Sequence, residues 1–380
     1  MILPFMLLVL LAFKDPGDSG INSSYNNKIV KSTDPQMDGA EQYDGPYILY
    51  KKEKVYAKYI DQSNGIRTVR VDSISVSEKK NLSLKVNTDE PGKTFSVQIK
   101  DKLQNEKAEY KKINKQFVLS DIEGNFGALR KLLQGNGVID SGFNWTFGNG
   151  HLVLIGDFVD RGSQVTEVLW LIYSLEEKAI AAGGHVHFIL GNHEIMNMSN
   201  DLRYLNPKYT EGAMLLNEHY MTLYGENSEL GRWLRTKNIM EKVGDMIYTH
   251  AGISAQINVI NSSISDINKL ARPFYGDTSY NYPNIKLDVI YSDWGPFWYR
   301  GYYTGKEKAS SGQVDSTLSI FDAEKIVTGH TIVAETISTW YNGKVINTDV
   351  HHSEGKSEAL LIDGKKCYRA YPDGKKELLL

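Results

Sequence analysis

Five short apolar runs in this chain each end in a cluster of oxygen- and nitrogen-bearing side chains, and that repetition constrains the fold more than any other feature. Residues 117–120 (FVLS) lead into Asp121-Ile122-Glu123-Gly124-Asn125, and residues 151–155 (HLVLI) into Gly156-Asp157-Phe158-Val159-Asp160-Arg161-Gly162. Residues 186–190 (VHFIL) lead into Gly191-Asn192-His193-Glu194, 246–249 (MIYT) into His250-Ala251-Gly252, and 325–328 (KIVT) into Gly329-His330-Thr331. Helical spacing follows the first two clusters. Phe126, Leu129, Leu132 and Leu133 form one face before Gly135, and Val165, Val168, Leu169 and Ile172 form another before Gly183-Gly184. Strand–cluster–helix units build α/β sheets, whose ligands bind beyond the carboxyl ends of the strands. The five loops are therefore expected on one edge, around one site.

Taken singly, each residue has an ordinary reading. Asp121 alone would be a helix cap or turn former, His250 or His330 a hydrogen-bonded core histidine, and Asn192 a turn. As a set at equivalent places in the topology, carboxylates with two imidazoles and an amide suit one or two first-row divalent ions. The single cysteine, Cys367, excludes a disulfide framework and a thiolate-bound zinc cluster. A formal net charge of -3 gives no general electrostatic case for nucleic acid as the partner.

The 380 residues, 41% hydrophobic and 23% charged, read as a globular chain, and about 150 residues per domain gives two or three units. Residues 1–14 are a signal-like apolar segment, too short for a membrane span of about 20 residues. Export to the periplasm or the exterior is the first expectation, with an uncleaved anchor or a buried N-terminal segment as alternatives and a cytoplasmic location left open. Residues 15–44 read as a linker. Residues 45–107 carry short alternating runs, with turns at Asn64-Gly65 and Pro91-Gly92, and predict a small antiparallel β domain. Within it Gly92-Lys93-Thr94 ends like a phosphate-binding loop, but position 87 is Asn and no helix pattern follows, so the match is by chance. Residues 100–115, with six Lys and three acids, predict a solvated linker or exposed helix. Residues 108–380 carry the five clusters and are expected to form a second, larger domain. Asn22, Asn81, Asn144, Asn197 and Asn261 begin Asn-x-Ser/Thr sites, which matter only in a eukaryotic secretory pathway; Asn197 is discounted because it follows GNHE so closely.

GDFVDRG followed by GNHE resembles the calcineurin-like metallophosphoesterase superfamily, in its phosphoprotein phosphatase branch, over roughly residues 116–352. A closer likeness is to the Shewanella-like protein phosphatases. It rests on residues 230–235 (LGRWLR), 249–254 (THAGIS) and 295–301 (GPFWYRG), and Asp44-Gly45-Pro46-Tyr47 looks like the small N-terminal domain of that group's cold-active tyrosine phosphatase type. The resemblance implies an αββα sandwich holding two divalent metals, such as manganese, iron or zinc, about 3.5 Å apart. It implies Asp157 as the bridging ligand, with Asp121 and position 123 completing one metal and Asn192, His250 and His330 the other. His193 would be the general acid paired with Asp160, and Arg161 and Arg300 would hold the phosphate. The sequence departs from the family's Asp-x-His-Gly at Glu123. That residue could ligate in place of the imidazole, leave the first metal weak or absent, or only hydrogen-bond to a metal-bound water. The absence of a second histidine after Gly329-His330-Thr331-Ile332 fits the protein phosphatase branch.

The chemistry of the residue types agrees. Arg offers planar bidentate donors to phosphate oxygens, and an Asp partner favours the protonated histidine that a leaving alkoxide or phenoxide requires. The alternative for Arg300 is a surface or aromatic-stacked role beside Trp298 and Tyr299. The leading expectation is a phosphomonoester hydrolase acting on a phosphorylated protein. Rivals are hydrolysis of a diadenosine-type dinucleotide or small phosphoester, and a phosphate-binding adaptor with a weakened metal site. His193 and Asp160 argue against the adaptor, which needs no general acid. The aromatic cluster Trp298, Tyr299, Tyr302 and Tyr303 could stack on a phosphotyrosine ring or pack in the core.

Overall fold

A computed structural model describes residues 30–31, 43–63, 66–305 and 308–380. The apolar segment 1–14, most of the linker, Asn22 and the Asn64-Gly65 turn lie outside the described residues. The first strands are β1 (Val30–Lys31), β2 (Asp44–Lys51), β3 (Lys54–Ser63) and β4 (Ile66–Ser75), an antiparallel sheet ordered β1-β4-β3-β2. A hairpin of β5 (Ser83–Asn87) and β6 (Thr94–Gln98) follows. Its turn holds Gly92 at φ +75° and runs into a strand, as a chance phosphate-loop match requires.

The rest of the chain runs β7 (Glu109–Tyr110), β8 (Lys115–Leu119), α1 (Phe126–Gly135), β9 (His151–Ile155), α2 (Val165–Ala181), β10 (His185–Ile189) and α3 (Asn192–Met198). Next come α4 (Pro207–Leu215), α5 (Tyr220–Leu223), α6 (Glu229–Leu234), β11 (Met240–Val243), β12 (Met246–Thr249), α7 (Ala255–Val259), α8 (Ile264–Ala271), α9 (Ile285–Tyr291) and α10 (Ser311–Ile320). The chain closes with β13 (Lys325–Thr328), β14 (Ser338–Trp340), β15 (Val345–Asn347), β16 (Ala359–Asp363), β17 (Lys366–Ala370) and β18 (Lys376–Leu378).

Two six-stranded sheets result, ordered β10-β9-β8-β16-β17-β18 and β14-β15-β13-β12-β11-β7. Their facing sides share one apolar cluster: Val118, Val153, Ile155 and Ile189 from the first meet Val243, Tyr248, Val327 and Ile346 from the second. The strand period of two sends the alternate residues Phe117, Leu119, Leu152 and Leu154 outward, into the cluster that includes α1 and α2. On the far side, Ile326 and Val345 pack with Val314 and Leu318 of α10 and with Tyr299, Tyr302 and Tyr303. The layers are therefore helix, sheet, sheet, helix, as expected, and those three tyrosines are core packing.

α1 buries Phe126, Leu129, Leu132 and Leu133, and Asn125 caps it by accepting from Ala128 N–H. α2 is different, because it is buried almost all round, Trp170 and Tyr173 included. One side lies on β10 and the other meets β2, β5 and β6, so the N-terminal strands cover a helix that would otherwise face water. Trp170 Nε1 donates to the Pro46 carbonyl at 2.8 Å.

Residues 100–115 are mostly exposed and irregular, as a solvated linker would be, and depart from expectation at two places. They form no helix, β7 joins the second sheet beside β11, and Lys100 is buried. The cause is Glu176 of α2, a buried carboxylate that pairs with Lys100 and, at 2.7 Å, with Lys237.

Candidate active site

β8, β9 and β10 run parallel, so their following loops leave one edge together. Backbone bonds staple the first two loops: Asp121 N–H donates to Gly156 O, Glu123 N–H to Asp157 O and Gly162 N–H to Glu123 O. Asp121, Glu123, Asp157, Asp160, Arg161 and His330 all have φ between +48° and +69°. Non-glycine residues adopt that region only when their surroundings hold them there. Two glycines allow the close approach. A Cβ on Gly156, at φ +77°, would lie 2.6 Å from Gly191 Cα and from His250 Nδ1.

His250 is fully buried, and its Nδ1 donates to the Ile155 carbonyl at 2.8 Å. That bond turns Nε2 inward, where it meets Asn192 Oδ1 at 2.9 Å, His330 Nδ1 at 3.1 Å and Asp157 Oδ2 at 3.1 Å. Four lone-pair donors converging on one point are the donor set of a cation site with mixed oxygen and nitrogen ligands. The local potential agrees. Burial would lower the His250 pKa, but the charge and hydrogen bond of Asp157, with the charge of Asp121 and the Ile155 carbonyl, together raise it to about 10. A second group of ligand-capable atoms comprises Glu123, Asp157 and His193, all within 4.8 Å of one another. Glu123 also pairs directly with Arg161. Asp121 accepts from the His330 backbone N–H at 3.1 Å, and burial raises its pKa to about 6. The residues present fit a divalent cation at Asp157, Asn192, His250 and His330; the second group shares Asp157 but takes in His193 rather than Asp121, which lines the same cavity.

His193 opens α3 beside this centre. Its Nδ1 lies 2.7 Å from Asp160 Oδ2, and its Nε2 lies 3.7 Å from Asp157 Oδ2. Burial works against the imidazolium, but the Asp157 charge and the Asp160 hydrogen bond raise the His193 pKa above its ordinary value. Arg300 Nη1 donates to the His330 carbonyl at 2.7 Å and to Thr331 Oγ1 at 3.1 Å. Arg161, Arg300, Asp121, Glu123, Asp157, Asn192, His193 and His330 all line one cavity of about 440 Å³. Asp160 stands behind His193, fully buried.

Four further residues belong to this site and carried no role in the sequence reading. Glu194 accepts from the N–H groups of Asp157, Phe158 and Gly191 at 2.7–2.9 Å, which locks the β9 and β10 loops together. Tyr204 lines the cavity with its ring 5.0 Å from that of His193 and 5.1 Å from the Arg161 guanidinium. Asp349 and His352 line it from the loop after β15, both buried. A signal for Asp349 existed: residues 345–347 (VIN) leading into Thr348-Asp349 repeat the strand-then-cluster pattern a sixth time.

The model of the calcineurin-like phosphoesterase family matches residues 115–334. The Shewanella-like protein phosphatase 1 of Plasmodium berghei is 30% identical over 224 residues, 56% of this chain and 60% of that one. Shewanella-like protein phosphatase 2 of Arabidopsis thaliana is 24% identical over 297 residues, 66% of this chain and 74% of that one. The crystal structure of a cold-active protein tyrosine phosphatase from a psychrophilic Shewanella species superposes with a TM-score of 0.78 at 34% identity, covering 89% of this chain and 99% of that one.

Proposed function

The chain belongs to the calcineurin-like phosphoesterase family, and from that premise we propose that it hydrolyses phosphomonoesters on proteins with the help of two divalent cations. The observation that carries the reading is the His193–Asp160 pair at 2.7 Å, set beside the Asp157-centred donor groups in the same cavity as Arg161 and Arg300. Asp157, Asn192, His250 and His330 would hold one cation, and Asp121, Glu123 and Asp157 the other. When bound, cations in such donor sets neutralise phosphate charge and lower the pKa of the attacking water. Arg161 and Arg300 take the non-bridging phosphate oxygens, and the bond from Arg300 to the His330 carbonyl fixes its guanidinium toward the cavity. His193 Nε2–H gives its proton to the departing alkoxide or phenoxide, while Asp160 holds Nδ1–H and so the ring orientation. The likeness to a protein tyrosine phosphatase supports phosphotyrosine as the first substrate to try.

The test is turnover of a phosphotyrosine peptide, a phosphoserine peptide and a symmetrical dinucleoside tetraphosphate, with manganese, iron or zinc supplied and with a chelator. Metal-dependent release of phosphate from a peptide is expected. Faster cleavage of the dinucleotide than of either peptide would replace this reading with the small-phosphoester one. Export directed by residues 1–14 completes the proposal; a tagged protein recovered from the cytoplasm with Met1 intact would remove it.

A further inference from the structure

We propose that Asn197 and Tyr220 are positioning residues for the general acid, linked to it by a directed chain of hydrogen bonds from Tyr220 through Asn197 to Asp160. The inference rests on the role given to His193 above. Asn197 lies one helical turn beyond His193 on α3, which puts both side chains on one face. Its Nδ2 donates to Asp160 Oδ1 at 2.7 Å and to the His193 carbonyl at 2.9 Å. Its Oδ1 accepts from the Tyr220 hydroxyl at 2.5 Å. Asp160, Asn197 and Tyr220 are all buried.

The direction of the chain follows from what each group can do. An ionised carboxylate only accepts, so the amide must present Nδ2 to Asp160. The amide oxygen then faces Tyr220, whose hydroxyl supplies the donor. Flipping the amide would set two acceptors against each other at the carboxylate. With Oδ2 held by His193 and Oδ1 by Asn197, neither oxygen of Asp160 is free to turn, and the imidazole keeps its Nε2 toward the cavity. Removing the amide would leave a buried carboxylate oxygen bare, which is costly and permits rotation. Tyr220 is itself fixed from outside the catalytic loops. It stands on α5, which packs against β2, and its ring packs on Tyr224 at 5.3 Å. Burial of both amide atoms of Asn197 also accounts for setting its glycosylation motif aside.

Four variants test the proposal on para-nitrophenyl phosphate (good leaving group) and phenyl phosphate (poor leaving group): His193→Asn, Asn197→Leu, Tyr220→Phe, and the double His193→Asn with Asn197→Leu. General acid catalysis is worth about 10²–10⁴-fold, so partial loss of its alignment should lower kcat on phenyl phosphate about 10–50-fold in Asn197→Leu and about 3-fold in Tyr220→Phe. On para-nitrophenyl phosphate the losses should stay under about 3-fold, with KM nearly unchanged. The double variant should be no slower than His193→Asn alone, because the relay acts only through that ring. Equal losses on both substrates, or a further loss in the double variant, would overturn the proposal and assign the two residues to scaffolding. Should His193→Asn itself lose both substrates equally, the general-acid reading falls instead and takes the relay with it. If Asn197→Leu does not fold by circular dichroism, Tyr220→Phe, which deletes one hydroxyl, decides alone.

Discussion

Glu123 stands where the family has an imidazole, and the structure gives it a cationic neighbour in Arg161 as well as a place beside Asp157 and His193. A carboxylate has two oxygens and can serve both. Elemental analysis of Glu123→Ala should find one metal equivalent lost along with most activity, whereas Glu123→His should keep two and shift the first site toward softer ions. Two tightly held metals in Glu123→Ala would leave the residue only as the counter-ion of Arg161. Arg300 has a clearer geometry, since the His330 carbonyl and Thr331 hydroxyl already hold its guanidinium. Charge-assisted hydrogen bonds contribute about 1.5–3 kcal/mol, so Arg300→Ala should weaken inhibition by inorganic phosphate about tenfold or more. An unchanged inhibition constant would remove Arg300 from the phosphate site.

At the level of strands and loops, the sequence was most informative where an apolar run met a glycine and a ligand. β8, β9, β10, β12 and β13 were all legible in this way, because buried strands read as continuous apolar runs and their exits carry the polar clusters. Gly156 shows how tight those exits are. Gly156→Ala combines φ +77° with a Cβ only 2.6 Å from both Gly191 Cα and His250 Nδ1, and conformational strain of this kind costs about 1–3 kcal/mol. Calorimetry should show a lower melting temperature together with weaker metal binding; wild-type values of both would mean the loops can relax apart. The pairing of β16 with β8 was not legible, since it joins residues more than 200 positions apart and depends on the whole assembly. Asn197 and Tyr220 escaped because their contacts, Asn197 with Asp160 and Tyr220 with Asn197, form through space with no local sequence signal. Lys100 was misread because a run of lysines says nothing of the one carboxylate, Glu176, that draws one of them inside.

Across the whole molecule, two imidazoles held neutral by burial weigh against stability in acid. Burial, reinforced by the charge of His187, lowers the His151 pKa to about 3, and burial lowers that of His352 to about 4. Between those values and about 6.5 the unfolded chain binds protons at these two rings that the folded chain does not, so their contribution to stability rises with pH across that window. His352→Phe keeps a ring but cannot titrate, so its melting temperature relative to wild type should rise as the pH drops from 6.5 to 4.5. An identical pH slope in His352→Phe would exclude that residue from the effect. The cover over α2 has a different consequence, in time. Tyr50 of β2 donates through its backbone to the Asn227 carbonyl and through its hydroxyl to Glu229, 179 residues later. At about 5–20 residues per second of synthesis, strands made early wait roughly 10–40 s for the segment that covers them. Throughout that interval Tyr47, Ile48 and Leu49 have no partner from the second half of the chain. During that interval these strands are open to aggregation, to chaperones or to a translocation channel.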